Sequence, residues 1–270
     1  MKKILGLSTL ALAGVLAFTG CSCGKDETKT ATSYGLVHKT YLGVATVTHT
    51  GTDVTEVVFD EVMLPSSWAG TSHGAFGGMG TKTPTFTTAL TDADKTDAGA
   101  AKYIKVGNYV FGVNNTTSLG GTVVADYQSG TFTNGTFTAD GKIDSLYVYI
   151  QTETGAKWYH DTMKAGSYDI LTVAGASTGL NYEGGRGAAA TKSTNGYWAA
   201  GWQKNMDAMA DYLVENDNLD TLDVYAFTKS YEDTEAGKTY YATSDTDVVT
   251  GATLTDFYDY MNLAQAAYRK

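Results

Sequence analysis

The sequence predicts an α+β fold in which antiparallel β-hairpins build sheet and amphipathic helices pack on it. Three observations lead there. The 270 residues include 31 glycines and 19 tyrosines but only two prolines, Pro65 and Pro84, a composition that suits pleated strands joined by tight turns. Period-two alternation clusters around turn residues early in the chain, and helical periodicity recurs late in it. Apolar residues make up 43% and charged residues 18%, enough hydrophobicity for a core and too little charge for a disordered chain.

The chain opens with Lys2 and Lys3 followed by an apolar run, Ile4 to Phe18, of the length of a secretory signal and short of a comfortable membrane span. Small residues and a cysteine follow. Thr19-Gly20-Cys21 resembles a bacterial lipobox, which implies removal of a signal peptide over 1–20 and diacylglycerol on Cys21. The expected location is extracytoplasmic, on the cell membrane, held by lipid. Residues 21–33 are polar and read as a lipidated tether. Cys21 and Cys23 are the only cysteines, so neither an intradomain disulfide nor a thiolate metal site is available to the fold. With 19 basic against 29 acidic residues the net charge is −10, and loss of Lys2 and Lys3 takes it to −12. That sign excludes a phosphate-neutralising surface, so nucleic acid is not an expected partner.

Residues 34–120 read as an N-terminal β-rich region. Tyr41 to His49, a break at Thr50-Gly51-Thr52-Asp53, and Val54 to Met63 form a hairpin pattern. A second hairpin is expected where Gly130 to Thr138 and Ile143 to Gln151 flank Asp140-Gly141. The two segments suggest a degenerate internal duplication. Between them, Gly70 to Ala101 is rich in Gly, Thr and Asp and reads as a surface excursion. Two helices are expected later. The first carries Trp198, Trp202, Met206, Met209 and Leu213 on one stripe, with Ser193 to Asn195 as capping candidates, and the second runs over 255–268 with Phe257, Tyr260, Met261, Ala264 and Ala267 on one face. Leu222 to Lys229 and Thr239 to Thr243 read as short strands between them.

The chemically specific segment precedes the last helix: Asp247-Val248-Val249-Thr250-Gly251-Ala252-Thr253-Leu254-Thr255. It resembles the flavinylation motif of the FMN-binding domain family, which includes the G and C subunits of Rnf and of the sodium-translocating NADH:quinone reductase. The resemblance implies an FMN-binding domain over 121–270 with covalent FMN as cofactor. A flavin transferase would install it from FAD through a phosphoester to Thr253. Asp247, Thr250, Gly251 and Ala252 would be the accompanying motif residues. The residue types suit that chemistry: Gly251 and Ala252 leave the acceptor hydroxyl accessible, and a helix start stabilises the remaining negative phosphate. A fragment of the motif recurs at Leu171 to Thr178, with Ser177 at the acceptor position but Leu171 in place of the aspartate and Ala174 in place of the first hydroxyl residue. It reads as a turn, with Ser177 a second candidate acceptor.

Other patterns carry less. His38, His49, His73 and His160 show no metal-ligand spacing and are expected on the surface. The run from Asp92 to Gly99 lacks calcium-loop spacing, with Tyr103 where a bidentate glutamate is required, and HGAFGGMG at 73–80 does not sit between a strand and a helix. Arg186 reads as a loop arginine or a flavin contact. No acid, base and nucleophile arrangement emerges, so no catalytic residue is nominated. The expected function is a lipid-anchored electron carrier. Its partners would be the flavin transferase, a membrane quinol- or NADH-linked donor and an external acceptor or reductase. Two other classes stay open: a cofactor-free surface lipoprotein that binds a ligand or protein, and a flavin-dependent extracellular reductase.

Overall fold

The computed structural model describes residues 27–38, 41–69, 102–177, 202–215, 217–224, 230–235, 238–243 and 257–270. Strands β1 (Thr28–Val37), β2 (Tyr41–Thr50) and β3 (Asp53–Met63) form an antiparallel meander that leads into the short helix α1 (Pro65–Trp68). A second antiparallel sheet contains β4 (Tyr103–Val106), β5 (Tyr109–Leu119), β6 (Thr122–Thr133), β7 (Thr136–Ala139) and β8 (Tyr168–Leu171), in the order β7-β6-β5-β4-β8. Helices α2 (Leu146–Tyr149) and α3 (Glu153–Lys164) lie between β7 and β8 in the chain. Later come α4 (Trp202–Glu215), the antiparallel pair β9 (Ser230–Glu235) and β10 (Lys238–Thr243), and α5 (Phe257–Tyr268). The architecture is α+β, with antiparallel sheets and a few helices. No described helix is long and apolar enough to cross a membrane.

The β2–β3 hairpin forms as the alternation predicts, turning through Gly51 and Thr52. Three other expectations are corrected. The strand β1 starts at Thr28, inside the segment read as tether. Its threonines pair across the sheet, Thr28 with Thr50, Thr30 with Thr48 and Thr32 with Thr46, at hydroxyl distances of 2.7, 3.0 and 2.9 Å, so a polar stretch still makes an ordered rung pattern. The second hairpin turns at Asn134-Gly135, both with positive φ (50° and 75°), the pair a two-residue primed turn prefers. Asp140 instead bonds Ser129 and the Lys142 N–H, and Leu146 to Tyr149 is helix, not strand. Ser145 caps that helix by accepting from the Val148 N–H at 3.0 Å while donating to the buried Asp126 carboxylate at 2.6 Å. Of the expected strand Leu222 to Lys229, Leu222–Val224 is not strand and 225–229 lie outside the described residues; the described pairing covers Ser230–Glu235 with Lys238–Thr243. A division of the chain at 120/121 runs through the Gly120-Gly121 turn of the β5–β6 hairpin.

The expected helix stripes form over Trp202–Glu215 and Phe257–Tyr268, with Trp202, Met206, Met209, Leu213, Tyr260, Met261, Ala264 and Ala267 all buried; Trp198, residues 255–256 and the Phe257 side chain lie outside the described residues. Helix α4 packs on β3 and α5 on β1 and β2. On the other side α3 reaches β1 and β3, and the buried side chains of both larger sheets and all three long helices join one hydrophobic cluster. Two polar links fasten α3. Tyr159, fully buried, donates to the Met63 carbonyl at 2.7 Å and accepts from the Trp68 indole N–H at 2.9 Å. Near the surface Asp60 of β3 meets His160 Nε2 at 3.1 Å and Lys164 Nζ at 2.6 Å. Burial pushes the Asp60 carboxyl upward, but the hydrogen bonds from His160 and Lys164, with the Lys164 charge, hold it below the usual carboxylate value. A lowered folded-state pKa stabilises the fold above the unfolded value and loses that contribution as pH falls through the folded one. Asp60→Asn is therefore expected to cost about 1 kcal/mol in urea unfolding at neutral pH, and distinctly less in strong acid. An equal cost at both pH values would show that the charge is not what matters there.

Candidate functional site at the start of the last helix

Helix α5 sits on a row of three residues that the strand register brings side by side. Gly35 of β1 pairs with Gly43 of β2, and Gly43 pairs with Glu61 of β3. The two glycines make room for Leu263: a Cβ on Gly35 would lie 2.9 Å from Leu263 Cδ2, and one on Gly43 would lie 3.0 Å from Leu263 Cδ1 and 2.5 Å from Val37 Cγ1. One turn earlier on the same helix face, Tyr260 meets the third member of the row. Its hydroxyl donates to Glu61 Oε2 and accepts from the Trp202 indole N–H at 3.3 Å. Glu61, Tyr260 and Trp202 are all completely buried. Burial first, then the Glu61 charge and the bond to it, push the Tyr260 hydroxyl well above its ordinary value, so the phenol keeps its proton and remains a donor.

The first turn of α5 is fastened from the sheet side. His38, at the end of β1 with φ 49°, donates its backbone N–H to Asp259 Oδ2 at 3.2 Å. Its ring meets Tyr260 edge-on at 5.8 Å and Tyr41 at 6.3 Å, while Phe59 also meets Tyr260 edge-on at 5.9 Å. At the other end of the helix Tyr268 lies against His49, ring centroids 4.4 Å apart. His49 is buried and bonds the Gly51 carbonyl at 2.7 Å, and His160 faces Asp60, so neither matches the expectation of free surface histidines. The arrangement makes α5 a fixed pedestal. Its first-turn N–H groups and positive dipole end are suited to an anion carried just ahead of it.

The motif itself, Asp247 to Thr255, lies outside the described residues, as do Cys21, Cys23, Arg186, His73, the segment 70–101 and the capping candidates 193–195. The chain positions Thr253 four residues before Phe257, the first residue of α5. Ser177 is described, and its surroundings differ from a helix start. It bridges Leu171 across a turn in which Thr172 Oγ1 accepts from the N–H groups of Ala174 and Ala176, at 3.3 and 3.1 Å. Those donors, which a phosphate would need, are occupied within the turn. Gly175, with φ 82°, presses so close to Phe132 that a Cβ there would fall 2.5 Å from the ring. Of the segment Leu171 to Thr178 that reads as a turn, Val173 to Gly175 turn, Leu171 ends β8, and Thr178 lies outside the described residues.

Among residues that sequence reading missed, Glu61 had a usable signal: in Val-Val-Phe-Asp-Glu-Val-Met it shares its strand face with Phe59 and Met63, an acid where the pattern calls for an apolar residue. Among the described residues no group of three or more His, Cys, Asp or Glu side chains could hold a metal ion. No family model, curated protein or solved structure matches the chain.

Proposed function

We propose that this protein is a lipid-anchored extracytoplasmic electron carrier with a single FMN esterified to Thr253. The observation that carries the reading is the segment Asp247 to Thr255, which resembles the flavinylation motif and ends just ahead of a helix seated on Gly35, Gly43 and the buried Glu61. In the attachment step the Thr253 hydroxyl oxygen bonds to the FMN-side phosphorus of FAD. The pyrophosphate P–O bond breaks, AMP leaves with the electron pair, and the hydroxyl proton passes to a base of the flavin transferase. Asp247 assists that transfer, and Thr250, Gly251 and Ala252 shape the approach to the hydroxyl. Once bound, FMN supplies one- and two-electron redox chemistry. The chain's own contribution is to carry the attachment point four residues ahead of a helix that Leu263, Tyr260 and the His38–Asp259 bond keep from shifting.

On this reading the fold is FMN-binding-domain-like with a degenerate duplication. Support comes from a recurring order, a three-stranded meander followed by a four-residue helix, in β1–β3 with α1 and in β5–β7 with α2. Electrons would come from a membrane quinol- or NADH-linked donor and leave to an external acceptor or reductase. A second reading, a cofactor-free ligand-binding lipoprotein, is favoured by one feature. A cavity of about 440 Å³, within the usual range for small-molecule sites, opens between β1 and the start of α3 over Leu36, Leu42, Leu119, Tyr147 and Ile150. Intact-mass measurement on protein co-produced with a flavin transferase separates the two. One FMN adduct is expected, unchanged by Ser177→Ala. An unmodified mass supports the ligand-binding reading, and two adducts would show that Ser177 is an acceptor despite its turn.

A further inference from the structure

Strand β1 lies at the edge of its sheet, and the alternation of an antiparallel ladder decides which of its backbone groups face outward. Two observations set the phase. The Thr32 carbonyl accepts from Lys270 Nζ at 2.7 Å, so it points away from β2. The Thr32 and Thr46 hydroxyls lie 2.9 Å apart, and opposite side chains come closest where the two residues exchange no backbone bonds. Tyr34 and Leu36 follow at steps of two, so their N–H and C=O groups face the open edge as well. No described residue bonds those groups. At Thr32 the same edge is blunted by Lys270, which Glu153 also holds at 2.7 Å, and beyond it the edge is a template for another strand.

The cavity of about 440 Å³ lies along this open stretch. It touches four consecutive residues, Ser33 to Leu36, and because side chains alternate between faces, a space in contact with all four runs along the backbone edge. Leu42, Leu119 and Ile150 supply apolar lining. The two charged side chains that line it, Glu153 and Lys270, are bonded to each other. The cavity thus offers a row of backbone donors and acceptors with apolar contact beside it and no charge in need of a partner. We propose that it takes up an extended, uncharged segment of a partner protein, which adds to β1 as a further strand and sets alternate apolar side chains against Leu42, Leu119 and Ile150. A compact ligand would leave the edge groups of Tyr34 and Leu36 unmatched. The site takes up the cavity of the second reading above and holds with or without flavin on Thr253.

The test selects binders from a library of random heptapeptides on the full-length protein, made without a flavin transferase, and follows backbone hydrogen exchange by NMR with the tightest peptide. In the free protein the amides of Ser33 and Gly35, which face β2, should exchange at least about tenfold more slowly than those of Tyr34 and Leu36. The peptide should slow Tyr34 and Leu36 by about tenfold or more, and N-methylation of its alternate, β1-facing amides should weaken binding by about tenfold while the intervening amides tolerate it. Tyr34→Pro removes one edge donor at a position where an edge strand accepts proline and should lose the peptide, whereas Tyr34→Val should keep it. The N-methyl series leaves the protein untouched, so the test stands even where Tyr34→Pro does not fold. A library without binders overturns the proposal, as does equal exchange at all four amides of the free protein. Binding indifferent to N-methylation and displaced by anilinonaphthalene sulfonate would also overturn it, and would make the cavity a small-molecule site. None of these signals depends on flavin, so failure here is distinct from an unmodified Thr253 in the mass measurement.

Discussion

Thr253→Val protein, co-produced with a flavin transferase, is expected to carry no flavin that survives denaturation, while the wild type fluoresces as a single band. Valine keeps the branched shape but removes the only oxygen that could be esterified, so the loss should be complete. The fold should tolerate the change. Thr253 precedes α5, and among the described side chains of that helix the first fully buried one is Tyr260. Circular dichroism checks this directly. Thr255→Val should retain the flavin, since its hydroxyl lies past the acceptor; if it caps the helix, its loss costs about 1 kcal/mol. Asp247→Asn should lower the extent of modification. Denaturation-resistant FMN on folded Thr253→Val protein would sink the assignment, as would a wild type that never acquires any.

Trp202→Ala should be the most destabilising single change near the site, by about 3–5 kcal/mol. Domains of this kind hold about 5–15 kcal/mol in total, so the melting temperature should fall by roughly 10 °C. Two losses combine. The indole is completely buried, and its removal leaves a cavity between α4 and α5. Its N–H also satisfies the Tyr260 oxygen, which in turn donates to Glu61. Trp202→Phe keeps most of the apolar volume but not the donor, so its smaller cost in urea unfolding measures the polar part. A cost below about 1 kcal/mol for Trp202→Ala would mean that the indole is not the packing centre its burial implies.

The hairpin β2–β3 and the two late helices were legible because each is a local pattern: alternation across Val44 to Val57, and apolar spacing of three or four along Trp202 to Leu213 and Tyr260 to Ala267. Helix α2 was not, since Leu-Tyr-Val-Tyr favours a strand by propensity and is held as a helical turn by the Ser145 cap over Asp126. Helix α3 could have been read. Thr152 caps Gly155, and Ala156, Tyr159 and Met163 repeat at helical spacing, but the sequence reading stops at the strand expected over Ile143 to Gln151 and assigns nothing beyond it. The motif around Thr253 is a contiguous string and needs no fold to be seen. Its supporting residues are different: Glu61 and Tyr260 are 199 positions apart and meet only after the strands pair and α5 docks. No linear spacing encodes that meeting.

The threonine rungs of β1 and β2 raise a question of uniqueness. If β1 slid by two positions along β2, Thr30 would face Thr50 and Thr32 would face Thr48, the hydroxyl pairs would survive, and the same faces would stay inward. By that criterion several alignments are nearly degenerate. The glycines remove the ambiguity. Only in the native alignment do Gly35 and Gly43 stand opposite each other and open a notch deep enough for Leu263; a slide by two sets Gly43 against Val37 or Ser33 and splits the notch. The glycine pair thus works as a key for strand alignment, read by the last helix to fold onto it. The same contact that seats the helix beyond Thr253 also tells the first two strands which of their several acceptable matches is the right one.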